Sequence, residues 1–109
     1  MKPRKRNDTG NPVTFTLKDK DGVVDLTTAD NVNFVMAGAA GVKVDKPCVI
    51  AIDPATGRVT YTFEAEDVDE AGAYRVELRV DWAGGGRTTF PSSGYETLTI
   101  EEDLTDEGP

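Results

Sequence analysis

The residues best suited to chemistry in this sequence are acidic side chains grouped within seven positions. They are Glu64, Glu66, Asp67, Asp69 and Glu70. Hard cations such as Ca²⁺ take several carboxylate oxygens from one loop, which makes this stretch the best candidate for a metal site. The alternative is a solvated corner between two sheets, and that is the interpretation we favour. The sequence therefore predicts no metal site and no cofactor.

Two shorter patterns resemble ligand loops, but turns explain them better. Asp19-Lys20-Asp21-Gly22 begins like a calcium loop, yet the further ligands and the distal Glu are absent at the required spacing. Gly84-Gly85-Gly86 follows a strand pattern, but no helix pattern comes after it to offer N–H groups to a phosphate. Both stretches are predicted to be turns.

Catalytic combinations of residues are missing from the sequence. The chain has no histidine, which removes the usual general base near neutral pH and excludes Ser-His-Asp and Cys-His arrangements. The single cysteine, Cys48, lies in an apolar stretch and is predicted to be a buried, inert thiol. Nothing marks two carboxylates held across a cleft, as glycoside hydrolysis requires. We therefore predict no catalytic residues and no enzymatic activity.

Length and charge limit the classes of protein and of partner. A chain of 109 residues is one domain, and no apolar run approaches the roughly 20 residues of a membrane helix. One cysteine excludes an internal disulfide framework and fits synthesis in a reducing cytosol. The net charge is −8, and without residues 1–6 it is −12. A domain with this much negative charge repels nucleic acid and anionic membranes, and neither is therefore an expected partner.

The two ends of the chain differ in charge from the middle. Residues 1–11 are predicted to be a flexible basic arm, and residues 102–109 an acidic tail. The basic side chains of the arm are Lys2, Arg4, Lys5 and Arg6. They are candidate partner-binding residues, because they can pair with acidic surface on a neighbouring subunit; an arm that is only solvated is the alternative. Phosphate binding by four such charges would be weak and sensitive to salt.

The elements between the two ends are strands. Tyr74 to Trp82 alternates strictly between apolar and polar residues, which indicates a half-buried strand, and Arg87 to Phe90 reads as its hairpin partner. Seven or eight such strands follow one another at short intervals, and no stretch has a helical period. Residues 12–101 are therefore predicted to form an antiparallel β-sandwich.

The alternation also predicts which side chains face the core. Those facing inward are Val13, Phe15, Leu17, Val32, Phe34, Met36, Val42, Val44, Val59, Tyr61, Phe63, Leu98 and Ile100. The run Cys48 to Ile52 is apolar on both faces, which is typical of a central strand or a strand at an interface.

One local motif makes the predicted sandwich immunoglobulin-like. In such domains a Tyr near the start of the penultimate strand bonds back across the preceding corner. Glu70-Ala71-Gly72-Ala73-Tyr74 has this spacing, and Val76 stands where antibody domains carry a disulfide cysteine. Gly72, Tyr74 and Val76 are therefore predicted to be structural residues, although any loop before an aromatic strand could give the same pattern.

The order of these segments resembles the N-terminal domain of phage upper baseplate proteins and related small tail proteins. The resemblance covers residues 12–100. The segments that carry it are Pro12–Gly22, Val24–Thr27, Val32–Met36, Asp53–Val59, Tyr61–Phe63, Asp69–Tyr74, Phe90-Pro91 and Gly94-Tyr95. It implies a β-sandwich assembly module of a virion, with no catalytic residues to carry over. A fibre or receptor-binding region like those of the larger baseplate proteins is not expected here, so a tail, neck or capsid location stays open.

Two functions of different classes follow. The first is a structural protein of a tailed-phage virion, made in the host cytoplasm, which docks on other virion proteins and on copies of itself; capsid decoration is a variant of it. The second is a module that binds carbohydrate or a cell surface through Trp82, Tyr95, Ser92 and Ser93. Trp82 separates the two, because the alternation favours a core position for it over an exposed platform.

Overall fold

The computed structural model describes residues 1–91 and 96–102 of the chain. These residues form eleven β-strands and two single turns of 3₁₀-helix, Pro54–Thr56 and Ala65–Asp67, and none of their helices could cross a membrane. The strands are β1 (Arg4–Lys5), β2 (Val13–Thr16), β3 (Lys18–Asp19), β4 (Gly22–Val23), β5 (Ala29–Gly38), β6 (Gly41–Pro47), β7 (Val49–Ile50), β8 (Arg58–Tyr61), β9 (Gly72–Trp82), β10 (Arg87–Phe90) and β11 (Glu96–Glu101). The predicted all-β, immunoglobulin-like sandwich is confirmed.

Two sheets pack face to face, and a small ribbon of β3 and β4 lies beside them. The large sheet has the order β1-β11-β9-β5-β6, and β10 also pairs with β9. The small sheet has the order β2-β8-β7. All pairings are antiparallel except that of β1 with β11. The long strand β9 organises the large sheet, because β5 pairs along one of its edges while β10 and β11 follow each other along the opposite edge.

The core fills the space between the two sheets. Phe34 of β5 is fully buried at its centre. Its ring stacks on Tyr61 at 4.4 Å between centroids and meets the edge of Phe63 at 5.5 Å. The inward positions predicted in β5, β8 and β11 are buried, because alternate side chains of each strand point at the opposite sheet.

The prediction that Val42 faces the core is wrong, because 66% of its surface is exposed. The pairing of β5 with β6 shifts between Met36 and Ala37, so that Met36 lies opposite Val44 but Ala37 lies opposite Val42. Lys43 is the extra residue of this irregularity. Because a side-chain period of two reverses after one inserted residue, Val42 points away from the core that holds Val44.

Residues 4–8 of the predicted flexible arm lie against the large sheet. Arg4 and Lys5 form β1 and pair in parallel with β11, and the N–H of Asn7 donates to the carbonyl of Val68 at 2.8 Å. The guanidinium of Arg4 lies 4.3 Å from the ring centroid of Phe63 and donates to the backbone oxygen of Asp8. A cation over an aromatic face, together with backbone pairing, holds this segment in place.

Arg4→Ala should lower the free energy of unfolding by about 1 kcal/mol, because it removes a cation–π contact and a charged hydrogen-bond donor. Lys5→Ala is the matched control, since the neighbouring side chain is 61% exposed and makes only a 3.7 Å ion pair with Glu101. Urea titration of both variants measures the difference. Equal midpoints for the two variants would restore the free-arm interpretation.

The apolar run Cys48 to Ile52 is not a central strand. Only Val49 and Ile50 are paired, and β7 lies at the end of the small sheet, next to β8 alone. The chain passes from the edge of the large sheet to the edge of the small sheet at Cys48, whose N–H donates to the carbonyl of Val32 at 2.7 Å. Because the chain joins the two sheets at their edges here, β7 has an edge position and not a central one.

Candidate interaction surfaces

The acidic stretch that suggested a metal site surrounds a lysine instead. Lys46 Nζ donates to Glu66 at 2.6 Å, to Asp67 at 3.0 Å and to Glu64 at 3.1 Å. Another lysine, Lys43, reaches Asp69 at 2.8 Å. Within residues 1–91 and 96–102, no group of three or more Asp, Glu, Cys or His side chains is arranged to hold a metal ion. Two lysines of β6 thus supply the positive charge for this corner of the molecule.

Asp67 is the buried member of this cluster, with 1% of its surface exposed. Its Oδ2 accepts from the Tyr61 hydroxyl at 2.6 Å and from the Glu64 N–H at 2.9 Å, and its Oδ1 accepts from Lys46. Burial, followed by the bond to Asp67, raises the pKa of Tyr61. The bonds to Glu66 and then Asp67 raise the pKa of Lys46. Through these three contacts, Asp67 joins the corner to β8 of the small sheet and to β6 of the large sheet.

The structural residues at the start of β9 have the geometry of a tyrosine corner. The Tyr74 hydroxyl donates to the carbonyl of Glu70 at 2.7 Å, and burial raises the pKa of this hydroxyl. Gly72 has a φ of +155°, which side chains rarely allow, and Val76 is fully buried. The β5–β6 turn closes over the tyrosine, because a Cβ on Gly38 would lie only 2.9 Å from its ring.

Tyr74→Phe should lower the free energy of unfolding by about 1 kcal/mol, since the hydroxyl is lost and the buried ring remains. The measurement is the midpoint of denaturant unfolding. Phe90→Leu is a useful comparison, because it alters a buried ring on the hairpin partner of β9 without touching the corner. An unchanged midpoint for Tyr74→Phe would mean that the corner bond contributes nothing.

The outer face of the large sheet carries a network of paired polar side chains. Arg79 of β9 donates two hydrogen bonds to Asp45 of β6, both at 3.0 Å, and Asn33 of β5 donates to the same carboxylate at 2.8 Å. At the end of the sheet, Arg87 donates to Asp81 at 2.8 Å. The alternation of β9 predicts that these residues face outward. The alternation does not predict which residues of the other strands pair with Arg79 and Asp81.

This network gives stability a dependence on pH. The bonds to Arg79 and then Asn33 lower the pKa of Asp45 in the folded protein. The stabilisation is therefore complete above the unfolded pKa of about 3.9 and is lost as the pH falls through the lower folded value. Asp45→Asn should lower the Tm at pH 6, and its Tm should converge on that of the unchanged protein in acid. A gap that stays constant with pH would show that the charge of Asp45 does not matter.

Trp82 and Cys48 occupy partly buried positions beside the core. Trp82 ends β9, packs against the core cluster, and donates from Nε1 to the Thr88 hydroxyl at 3.0 Å. Its only polar group is therefore engaged across the hairpin, and its ring is partly buried. Cys48 also packs against the core, and burial raises the pKa of its thiol to about 12, so thiolate is scarce at neutral pH.

The basic residues of residues 1–11 are not gathered into one patch. Arg4 turns inward, whereas Lys5 and Arg6 pair with acidic residues at the end of β11, and Lys2 is exposed. The charges expected to reach a neighbouring subunit thus meet acidic residues of their own chain. Ser92, Ser93, Tyr95 and residues 103–109 of the predicted acidic tail lie outside the described residues.

The fold and the surface place the protein in the class of β-sandwiches, with ion pairs joining the strands at one corner and across the outer face of the large sheet. The family model of the BppU N-terminal domain matches residues 3–92. The chain therefore belongs to the BppU N-terminal domain family, which is a structural domain family of the phage baseplate and tail and not an enzyme family. The match bears out the resemblance and the virion class that it implies.

The fold is shared with a solved structure of different sequence. The chain is similar to CopC from Methylosinus trichosporium OB3b, with a TM-score of 0.56 and 13% identity over 98% of this chain and 86% of that chain. At this identity the likeness concerns the sandwich alone. No curated protein matches the sequence.

Proposed function

We propose that this protein is an assembly and docking module of a tailed-phage particle, located in the tail or baseplate. The observation that carries the proposal is the family match over residues 3–92, which includes ten of the eleven strands. The module works by surface complementarity: its sandwich is a rigid body, and its partners are other virion proteins and further copies of itself.

The surface chemistry supports a docking role. The outer face of the large sheet presents charged side chains that are held in place by ion pairs and by hydrogen bonds from asparagine side chains. Arg79, for example, lies between Asp45 and Asp81. Side chains that are already ordered lose little conformational entropy when a partner binds. Fixed charges of both signs also reject a partner whose charges do not match, which gives specificity.

Immunogold electron microscopy tests the location in the particle. Antibody raised against the purified protein is applied to intact and detergent-opened particles from the source culture, with antibody pre-absorbed on the protein as the control. The expected result is gold at the tail end. Gold over the heads would replace the proposal with capsid decoration, and opened particles without gold would overturn a virion role.

A further inference from the structure

Residues 4–8 are held against the sandwich without an apolar side chain. Their sequence is Arg-Lys-Arg-Asn-Asp, and none of the five belongs to the core cluster of the described chain. Lys5 pairs with Glu101 at 3.7 Å and Arg6 with Glu102 at 3.8 Å, and both carboxylates are more than half exposed. Solvent and salt weaken such pairs. This segment can therefore leave the large sheet while the core stays packed, as a unit that opens locally.

The segment turns away from the large sheet through a left-handed residue. The N–H of Asp8 donates to the carbonyl of Lys5 at 3.1 Å, and Asn7 has a φ of +65° within this turn. Among the described residues other than glycine, only Asn7 has a positive φ. Asn tolerates this conformation better than most residues, but it is still strained. The strain is released when residues 7–12, which lie outside the described strands, straighten into a hinge.

The surface beneath the segment fits an extended basic chain. It consists of the edge of β11 at Ile100 and Glu101, where the Glu101 carbonyl accepts from the Arg6 N–H at 2.7 Å, and of the Phe63 ring under the Arg4 guanidinium. The occupant of this surface is on view, because the chain fills it with its own β1. The same residues of another copy would make the same contacts.

We infer that two copies of this chain exchange residues 1–6, so that β1 of each copy pairs with β11 of the other. Residues 7–12, when extended, span about 20 Å and form the hinge between the two bodies. This inference deepens the proposed function, on which it rests, by naming a second copy as one partner and the edge of β11 as the contact. Each copy gives and receives the same segment, as a two-fold contact requires.

The distribution of charge favours the exchange. Residues 1–6 carry four basic and no acidic side chains, whereas the rest of the chain has a net charge of −12. Two such acidic bodies repel each other, and the exchanged basic segments offset this repulsion at Glu101 and Glu102 of the neighbour. The closed form alone keeps the bonds from Arg4 to the carbonyls of Asp8 and Asn11, which lie in the hinge. Copies gathered in a particle have a high effective concentration, which favours the exchanged form.

A disulfide across β1 and β11 tests which copy supplies β1. Lys5 and Glu101 lie opposite each other and are exposed. In a Cys48→Ser background, Lys5→Cys with Glu101→Cys, oxidised at high protein concentration, should migrate as a covalent dimer on a non-reducing gel. The matched control is Ala73→Cys with Thr99→Cys, an exposed pair across β9 and β11 of one body. This control should form its disulfide within the chain and migrate as a monomer.

Two substitutions of Asn7 test the hinge by sedimentation velocity. Asn7→Gly accepts a φ of +65° without strain, so it stabilises the closed form and should raise the dissociation constant of the dimer about tenfold. Asn7→Pro fixes φ near −65° and removes the N–H that the Val68 carbonyl accepts, so it opens the turn and should lower the dissociation constant. Equal constants for the two variants would overturn the hinge and the exchange with it.

The outcomes separate this inference from the proposed function. Only monomer bands from Lys5→Cys with Glu101→Cys, whether or not the two thiols bond within the chain, would overturn the exchange. Such monomers together with gold at the tail end would keep the proposed function and reject the exchange. Covalent dimers together with opened particles that carry no gold would support the exchange and reject the virion role.

Discussion

Replacing Asp67 with alanine should lower the free energy of unfolding by about 3 kcal/mol. The carboxylate accepts hydrogen bonds from the buried Tyr61 hydroxyl, the Glu64 N–H and Lys46 Nζ, and 1% of its surface is exposed. Alanine leaves the Tyr61 hydroxyl without this acceptor, in a residue of which 3% of the surface is exposed. Guanidinium titration followed by tryptophan fluorescence, with Trp82 as the probe, measures the loss.

The matched control is Glu66→Ala, which removes another carboxylate from the same lysine. Glu66 lies 2.6 Å from Lys46 Nζ, closer than Asp67 does, but its side chain is 71% exposed. Solvent screens an exposed ion pair, so this substitution should cost a small fraction of the loss at Asp67. Similar losses at the two positions would mean that attraction to Lys46, and not burial, decides the contribution of each carboxylate.

Phe34→Ala should destabilise the fold by about 4 kcal/mol, the largest effect that we expect from one substitution. The ring is fully buried and contacts three other aromatic rings: Tyr61 at 4.4 Å, Phe63 at 5.5 Å and Phe15 at 6.0 Å between centroids. Alanine removes the apolar surface and leaves a cavity that residues from both sheets line. Calorimetry should show a lower Tm and a lower unfolding enthalpy.

Val35→Ala provides the comparison for Phe34, since the adjacent residue lies on the outer face of the same strand opposite Asp45 and Glu77. Both substitutions place alanine in β5, so any cost in strand propensity is shared. The change at Val35 should cause much the smaller loss. If the two losses were comparable, the aromatic cluster would not be the centre of the core.

The features that could be predicted from the sequence are those that depend on neighbouring residues. Alternation within a strand predicts that Phe34, Tyr61 and Leu98 face inward, because one strand is enough to define its two faces. The corner bond of Tyr74 also lies within reach of local reasoning, since its acceptor is the carbonyl of Glu70, four residues earlier. Each of these predictions needs only the geometry of an extended chain.

The remaining features depend on which distant segments meet. Lys46 joins Asp67 across 21 positions, and the cation of Arg4 finds the ring of Phe63 across a longer separation. No local pattern signals either contact, because charge and aromatic character say nothing about a partner until the topology is fixed. The irregularity beside Met36 is similar: one unmatched residue reverses the face of Val42, yet the sequence alternates without interruption from Val42 to Asp45.

The pairing of β1 with β11 has a consequence for the order in which the chain folds. Arg4 lies opposite Ile100, so almost the first and almost the last of the described residues are neighbours in one sheet. During synthesis β5 must also wait for β9, its principal partner, which begins at Gly72. The β5–β6 hairpin can form early, but the large sheet cannot extend beyond it until β9 has been made. Pairing between such distant segments is slow, so the closing of the sheet by β1 and β11 is a late step of folding.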